Sequence, residues 1–266
     1  AVFFVVLLLP FMILGLVDDA FAEDNTVIAT ISVGDSPRNI AFDSANNRMY
    51  VINYEDETVS VIDTTTNSVI ETISSIGRFP GASGESMAFD SENNRMYYSL
   101  GHWMHDISKR IRYIDTADYS VSSDITTGEK ISTYMAFDSA NNRMYVVNLN
   151  HWGSESPLII APDNSSVSVI NTATNGLIAN IEVGDRSYGI AFDSTNNRMY
   201  VVNGNDDTVS VISTATNSVI ATVSVGDSPR GIAFDSANNR MYVVNNDDDT
   251  VSVISVTSTE TSTETS

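Results

Sequence analysis

The chain has 266 residues, 42% of them hydrophobic and 18% charged, and its 34 acidic against 13 basic side chains give a formal net charge of −21. That apolar content is too high for a disordered chain. The acidity opposes binding to a nucleic-acid polyanion, because the one basic cluster, Lys109, Arg110 and Arg112, is flanked by acidic residues. The absence of cysteine excludes a disulfide framework, a thiolate metal site and a cysteine nucleophile together.

Residues 1–17 are apolar except for Pro10 and Gly15, and Asp18 and Asp19 end the run. Ala20-Phe21-Ala22 follows, a small-x-small pattern that a signal peptidase cuts after Ala22. We read residues 1–22 as a signal peptide and the protein as exported to the cell surface or the extracellular space. An uncleaved anchor is the competing reading, although the 17 residues of the run fall short of the ~20 a membrane span needs. The initiator Met and a basic n-region are missing, so the chain is expected to start inside its reading frame. Removing Asp18 and Asp19 with the leader takes the formal charge from −21 to −19.

From residue 23 to 256 a repeat organises the sequence. The string AFDS-x-NNRMY occurs five times, at 41–50, 88–97, 136–145, 191–200 and 233–242, and its Phe residues step by 47, 48, 55 and 42. A period in the forties with alternating Val, Ile and Tyr points to a stacked all-β array and excludes helix. Each unit reads as four short strands, named d, a, b and c in chain order. In the last unit these are Val219–Val225, Pro229–Phe234, Arg240–Asn245 and Thr250–Ser255. The paired Asn residues between a and b tolerate the positive φ of a tight turn, and four antiparallel strands make one propeller blade. The chain opens on a d strand, Val27–Val33, and closes on a c strand, Thr250–Ser255. The strand types balance only if the first completes the last blade, which predicts a closed five-bladed β-propeller. Residues 257–266, TSTETSTETS, hold nothing to bury and are expected to form a disordered Ser/Thr/Glu-rich tail. Its stop in mid-repeat leads to the expectation that the natural protein continues.

YVIN at 50–53 and YVVN at 145–148, 200–203 and 242–245, together with GDSPR-x-IAFD at 34–43 and 226–235, resemble the YVTN-type β-propeller repeat, a WD40-like blade. The resemblance covers residues 27–256 and implies the propeller fold. It also implies a place among archaeal or bacterial cell-surface and surface-layer proteins. Other relatives are lactonase-like enzymes and the propeller of nitrous oxide reductase. The chain departs from the family pattern in blade number, since many relatives have seven, and at Tyr97–Leu100, which reads YYSL. A shared fold of this kind says little about chemistry.

Strand alternation puts the a–b and c–d turns on one face and the b–c and d–a loops on the other. The first face is monotonous and reads as turn chemistry. On the second face the b–c loops have four residues in blades one (Tyr54–Glu57), four (Gly204–Asp207) and five (Asn246–Asp249), but run over Gly101–Arg110 in blade two and Leu149–Ser165 in blade three. The d–a loop into blade two also lengthens, over Ile76–Ser83. Elaborated loops on a rigid scaffold are where binding residues concentrate. The two long loops hold every histidine and tryptophan of the chain: His102, Trp103, His105, His151 and Trp152, with Asp106 and Glu155 beside them. His102, His105 and His151 with a carboxylate form a set that a first-row transition metal accepts, but they match no known metal motif. The bland reading is that the His-Trp pairs are aromatic anchors packing the two loops together. In a third reading Trp103 and Trp152 are a platform for a sugar or peptide, with Arg78, Asp106 and Glu155 as further ligand-binding candidates.

Gly-acid pairs recur in the d–a loops at Gly34-Asp35, Gly128-Glu129, Gly184-Asp185 and Gly226-Asp227, broken by Gly77-Arg78. Four carboxylates around a channel would suit Ca²⁺, but a feature repeating with the blade favours a structural turn. The acidic b–c loops at 55–57, 206–207 and 247–249 read as a solvated rim. Asn164-Ser165-Ser166 is an N-x-S sequon, expected in an exposed loop and marking Asn164 for glycosylation in an exported protein. The chain lacks a G-x-S-x-G elbow, a phosphate-binding Gly-rich loop and HExxH. Ser154 and Ser156 near His151 are weak grounds for a triad.

Three functions follow. The first is an exported, monomeric, non-enzymatic binding or envelope-structure module that contacts an envelope glycan, a peptide or a surface protein, with no catalytic residue assigned. The second is a metal-dependent lactonase- or lyase-like enzyme using the histidine loops. The third, a DNA-contacting propeller, is opposed by the charge of −19.

Overall fold

The computed structural model describes residues 27–74, 76–77, 86–99, 110–127, 131–149 and 164–256, the side chains of 131–133 apart. The chain divides after Thr30 into two units. In the first, the described residues 27–30 form no strand and are exposed. The second, residues 31–266, carries five antiparallel sheets. Sheet one is β1 (Pro37–Asp43), β2 (Arg48–Asn53), β3 (Thr58–Asp63) and β4 (Ser68–Ile73), paired in that order. Sheet two is β5 (Met87–Asp90), β6 (Arg95–Ser99), β7 (Arg110–Asp115) and β8 (Ile125–Thr126). Sheet three is β9 (Ile131–Asp138), β10 (Arg143–Leu149), β11 (Asn164–Asn171) and β12 (Gly176–Asp185). Sheet four is β13 (Ser187–Asp193), β14 (Arg198–Asn203), β15 (Thr208–Ser213) and β16 (Ser218–Ser224), and sheet five is β17 (Pro229–Asp235), β18 (Arg240–Asn245) and β19 (Thr250–Ser255). The strands expected in the last unit are β16 to β19, with bounds shifted by one residue at most. Among the described residues no helix is long and apolar enough to cross a membrane.

The repeated motif is a turn and a staple at once. Asp43 is buried, and its Oδ1 accepts the backbone N–H groups of Ala45 and Asn46, both at 3.0 Å, while its Oδ2 accepts from Asn46 Nδ2 at 2.9 Å. The same three bonds recur at Asp90, Asp138, Asp193 and Asp235. The second Asn takes the left-handed conformation, with φ between 52° and 54° at Asn47, Asn94, Asn142, Asn197 and Asn239, which Asn tolerates better than most residues. The first Asn and the Arg then reach the next sheet. Arg48 Nη1 donates to the carbonyl of Thr116 at 2.9 Å, Arg95 Nη1 to that of Thr172 at 2.6 Å and Arg143 Nη1 to that of Thr214 at 2.7 Å. Asn46, Asn93 and Asn141 donate to the hydroxyls of the same threonines. At the fourth joint Asn196 Nδ2 donates to the carbonyl of Val256.

The core follows from alternation within RMYV. Successive side chains of a strand point to opposite faces, so Met faces the preceding sheet and Tyr the following one. Tyr50, Ile52, Val59 and Val61 of sheet one pack against Met96, Tyr98 and Ile114 of sheet two. Tyr97 and Ile111 face Met144 and Val146, Tyr145 and Val147 face Met199 and Val201, and Tyr200 and Val202 face Met241 and Val243. Each fully buried side chain of this size contributes roughly 1.5–3 kcal/mol, and each joint adds the polar staple.

The inner strands pack in the series β1, β5, β9, β13, β17. At the ends of the series the apolar faces stay open: Ile40 is 60% and Phe42 45% exposed on β1, and Val251 and Val253 are each 53% exposed on β19. Val209 and Val211, at the equivalent places of sheet four, are 0% and 4% exposed. The expected d strand Val27–Val33 is not formed, and sheet five has three strands with β19 at its edge. The physical difference lies in the connection. β16 is tied to β15 by the short turn 214–217, whereas residues 27–33 and β19 lie at opposite ends of the chain, so pairing them closes a loop of the whole domain, a cost that grows only slowly with length.

Candidate functional site

The b–c edges differ among the sheets as the loop lengths foretold. In sheets one, four and five the ladder ends in Asn–Thr pairs, Asn53↔Thr58, Asn203↔Thr208 and Asn245↔Thr250, each spanned by a four-residue turn. In sheet two the ladder ends at Ser99↔Ile111, and in sheet three at Asn148↔Ser166. Ten residues, 100–109, separate β6 from β7, and fourteen, 150–163, separate β10 from β11, so the third loop is shorter than the span Leu149–Ser165 expected from sequence. Both extensions leave from the edge that carries the four-residue turns.

The short loops are clasped. Asp35 N donates to Asp56 Oδ2 at 2.7 Å, and Asp185 N to Asp206 Oδ2 and Asp227 N to Asp248 Oδ2 at 2.8 Å each. The b–c carboxylate thus caps the Gly-acid turn. The glycine is required by this approach, because a Cβ on Gly184 would lie 2.4 Å from Asp206 Oδ2 and 2.6 Å from Asn203 Cγ. The Gly-acid pairs and the acidic loops are two halves of one structural turn. Among the described residues no group of three or more His, Asp or Glu gathers to hold a metal ion. The carboxyl of Asp227 is nevertheless raised above the usual range by the charges of Asp248, Asp207 and Asp247.

Sheet two departs from the repeat at several linked positions. In sheets one, four and five the terminal Asn of strand b donates its Nδ2 to a Thr and a Ser of strand c: Asn203 to Thr208 at 3.0 Å and Ser210 at 2.9 Å, with parallels at Asn53 and Asn245. In sheet two, by sequence, the place of the Asn is taken by Leu100, that of the Thr by Arg110 and that of the Ser by Arg112. On strand d, where Ser60 faces Thr72 and Ser210 faces Thr222, the corresponding residue is Asp124. Arg112 Nε lies 2.6 Å from Asp124 Oδ1 and Arg110 Nη1 2.5 Å from Asp124 Oδ2. Burial opposes the charge of Asp124, but the hydrogen bonds from Arg112 and Arg110 outweigh it and hold the carboxyl below the usual range. Arg112 and the buried Tyr98 hydroxyl also donate to the carbonyl of Ile76, at 3.2 and 2.8 Å. A neutral hydroxyl network has been replaced by an ionic one.

The c–d turn of sheet two departs too. Asn67, Asn175 and Asn217 hold the left-handed position elsewhere, but here it is Tyr119, with φ 62°. Asn175 Oδ1 accepts from the buried Tyr97 hydroxyl at 3.1 Å and Asn217 Oδ1 from Tyr145 at 2.9 Å. Burial pushes each of these two phenols up to about 12. Tyr50, facing Tyr119, has no such acceptor, and its hydroxyl is buried without a hydrogen-bond partner. Tyr119 instead presents its ring to Arg48, 5.4 Å from the guanidinium carbon to the ring centre.

Of the residues singled out from sequence, Arg78, His102, Trp103, His105, Asp106, His151, Trp152 and Glu155 lie outside the described residues, as do Gly128 and Glu129. The structure neither gathers nor separates them. Asn164 is described. It is exposed but opens β11 rather than sitting in a loop, because its sequon continues into the ladder with Ser165 and Ser166 buried. The ionic cluster of Arg110, Arg112 and Asp124 was missed by sequence reasoning. Aligning RIRYID at 110–115 with TVSVIS at 208–213 exposes it, since arginine replaces a residue that is buried in every other described c strand but the last.

No family model and no curated protein matches the chain. Among solved structures, hydrazine synthase of Kuenenia stuttgartiensis is similar at 16% identity and a TM-score of 0.55, covering 86% of each chain. The β-propeller domain of Cps50 (Swd1) from Myceliophteria thermophila is similar at 9% identity and a TM-score of 0.60, over 84% of this chain and 65% of that one. At such identities the likeness shows the fold alone, which is propeller-like.

Proposed function

We propose that the chain is an exported, cell-surface or extracellular β-propeller that acts as a binding module, contacting an envelope glycan, a peptide or a surface protein through the loop edge of blades two and three. One observation carries this reading. Five blades share one turn plan, and at the b–c edges of two consecutive blades insertions enlarge its four-residue turn to loops of ten and fourteen residues. Those insertions contain the five His and Trp residues of the chain, and loops on a rigid scaffold are the usual place for recognition. The apolar leader supports export. The caps that Asp56, Asp206 and Asp248 place on their Gly-acid turns support reading those acidic loops as turn structure.

The same reading has the propeller close on itself, with Val27–Val33 as the fourth strand of blade five. Residues 27–38 and 219–230 differ at one position, Ile31 against Val223, so the segment carries the information that makes β16. The open faces of β1 and β19 are the two halves of the joint found four times inside the molecule.

The binding reading is tested by replacing Trp103 and Trp152 together with Ala in the mature chain. Loss of binding to isolated envelopes with little change in melting temperature is the expected result. A lower melting temperature with binding intact would make the tryptophans packing anchors. Stoichiometric Zn or Cu in the purified chain, lost on replacing His102, His105 and His151, would overturn the module in favour of the metal-dependent enzyme.

A further inference from the structure

Outside the loop edge, the most heavily rewritten part of the molecule is the outer strand of blade two. In blades one, three and four this strand is long, with six residues in β4, ten in β12 and seven in β16. β8 has two, preceded by a single bridge, Ile114↔Val121. The break follows from Ser122. Its N–H donates to the carbonyl of Tyr113, but Tyr113 N donates back to Ser122 Oγ at 2.9 Å, so a side-chain hydroxyl has taken the place of a ladder carbonyl. In blade four the residues at this place are Ile220, Ala221 and Thr222; here they are Ser122, Ser123 and Asp124.

The result is a cleft of about 450 Å³ between the outer strand of blade two and the c–d turn of blade three. Tyr113, Ser122, Ser123, Asp124, Asn175 and Leu177 line it. We propose that this cleft is a saccharide-binding site for one or two neutral sugar units, separate from the loop edge and independent of the reading given for it. Its volume lies in the range of ligand pockets. The lining offers hydroxyls, an amide and a carboxylate, a mixed set of donors and acceptors that suits a polyol. Leu177, 45% exposed, and the part of the Tyr113 ring that Arg95 does not cover supply the apolar surface for the C–H face of a sugar ring. Asp124 is neutralised by Arg110 and Arg112, which leaves lone pairs to accept sugar hydroxyls while making the site a poor one for a cation. The strongly negative chain disfavours an acidic sugar. The broken strand presents no continuous edge, so an extended peptide cannot add to it as a strand.

The test is saturation-transfer NMR and calorimetry on the mature chain with free maltose, cellobiose, mannobiose and N,N′-diacetylchitobiose, beside the same units on conjugated chains in an array. Binding to the free or the conjugated form supports the site, and the arm that responds tells a soluble sugar from a glycan end. Ser122→Ile with Ser123→Ala restores the residues of blade four and should weaken binding at least tenfold without lowering the melting temperature. Ser123→Phe, which leaves the Tyr113–Ser122 bonds in place, should do the same and covers the case in which the double variant misfolds. Replacing Trp103 and Trp152 with Ala should leave this binding unchanged; if it abolishes binding, the sugar sits on the loop edge and the cleft is not the site. No binding by any of the neutral sugars, a preference for sulfated or uronic acid sugars, binding of peptides instead, or full binding by both cleft variants would each overturn the proposal.

Discussion

Blades two and four begin from the same ten-residue motif and fold its turn in the same way. Asp90 and Asp193 make the same three bonds, and Asn94 and Asn197 take the same left-handed turn. Beyond that motif they diverge. Blade four keeps the Asn203–Thr208–Ser210 network, a four-residue turn and an Asn at 217, while blade two has Leu100, Arg110 and Arg112 at the network positions, a ten-residue loop and Tyr119. The comparison separates two kinds of constraint. The a–b turn holds each blade to its neighbour, so it does not vary. The b–c edge and the outer strand do not carry that staple, and changes accumulate there in matched sets.

The largest effect expected is on the proposed closure, in which residues 27–33 give blade five the fourth strand that β16 gives blade four. Deleting residues 23–33 should lower the melting temperature by about 5–10 °C, a loss of a few kcal/mol for a domain of this size, and expose a sheet edge that promotes aggregation. An unchanged melting curve by circular dichroism would break the closure reading. Next come Asp90→Ala and Asp193→Ala, which should each cost about 2–3 kcal/mol in urea denaturation, because a buried carboxylate leaves two N–H groups and an amide unsatisfied. Equal losses would sharpen the claim that this motif is indifferent to its blade, and a marked inequality would break it.

A smaller effect is expected where the blades differ. Arg112→Ser should cost roughly 1–2 kcal/mol by removing one of the two guanidinium groups on a partly buried Asp124. Adding Asp124→Thr, which recreates the pair of blade four, should recover most of that loss. The carboxyl of Asp124 is held low in the folded protein, so its stabilisation is present above the unfolded value of about 3.9 and fades as the pH falls through the folded one. The stability gap between wild type and Arg112→Ser should therefore narrow below about pH 4 in acid-unfolding curves. Tyr119→Asn should have the smallest effect, a gain of about 0.5–1 kcal/mol, since it relieves a bulky residue at positive φ and gives Tyr50 an acceptor. A loss instead would mean that the ring of Tyr119 over Arg48 outweighs both.

Strand positions were legible because alternation and turn chemistry are local. TVSVIS and DSANNR announce a strand and a tight turn without reference to anything distant. The staple was not legible, since Arg48 and Thr116 are far apart in sequence and nothing local says that one reaches the other. The Gly-acid pairs could be read two ways until Asp206 was seen to cap Asp185. The ionic cluster of blade two was hidden for another reason. Arg110 and Arg112 count as a minor basic patch unless they are aligned with the hydroxyl residues they replace. The histidines and tryptophans remain candidates on sequence grounds, because their loops lie outside the described residues.

The staple has a consequence for how the chain finds its fold. Arg48, Arg95 and Arg143 all donate to the same kind of Thr carbonyl, and the Met and Tyr faces at every joint are nearly alike. A joint therefore cannot tell its proper neighbour from a more distant blade, and energy alone does not fix the order of assembly. Connectivity does: the direct chain connection between successive blades keeps the right partner at a high local concentration while the wrong ones must diffuse in. Two chains refolding at high concentration have no such advantage over each other. Blade exchange between molecules is then the error this architecture invites, as in other arrays of near-identical units.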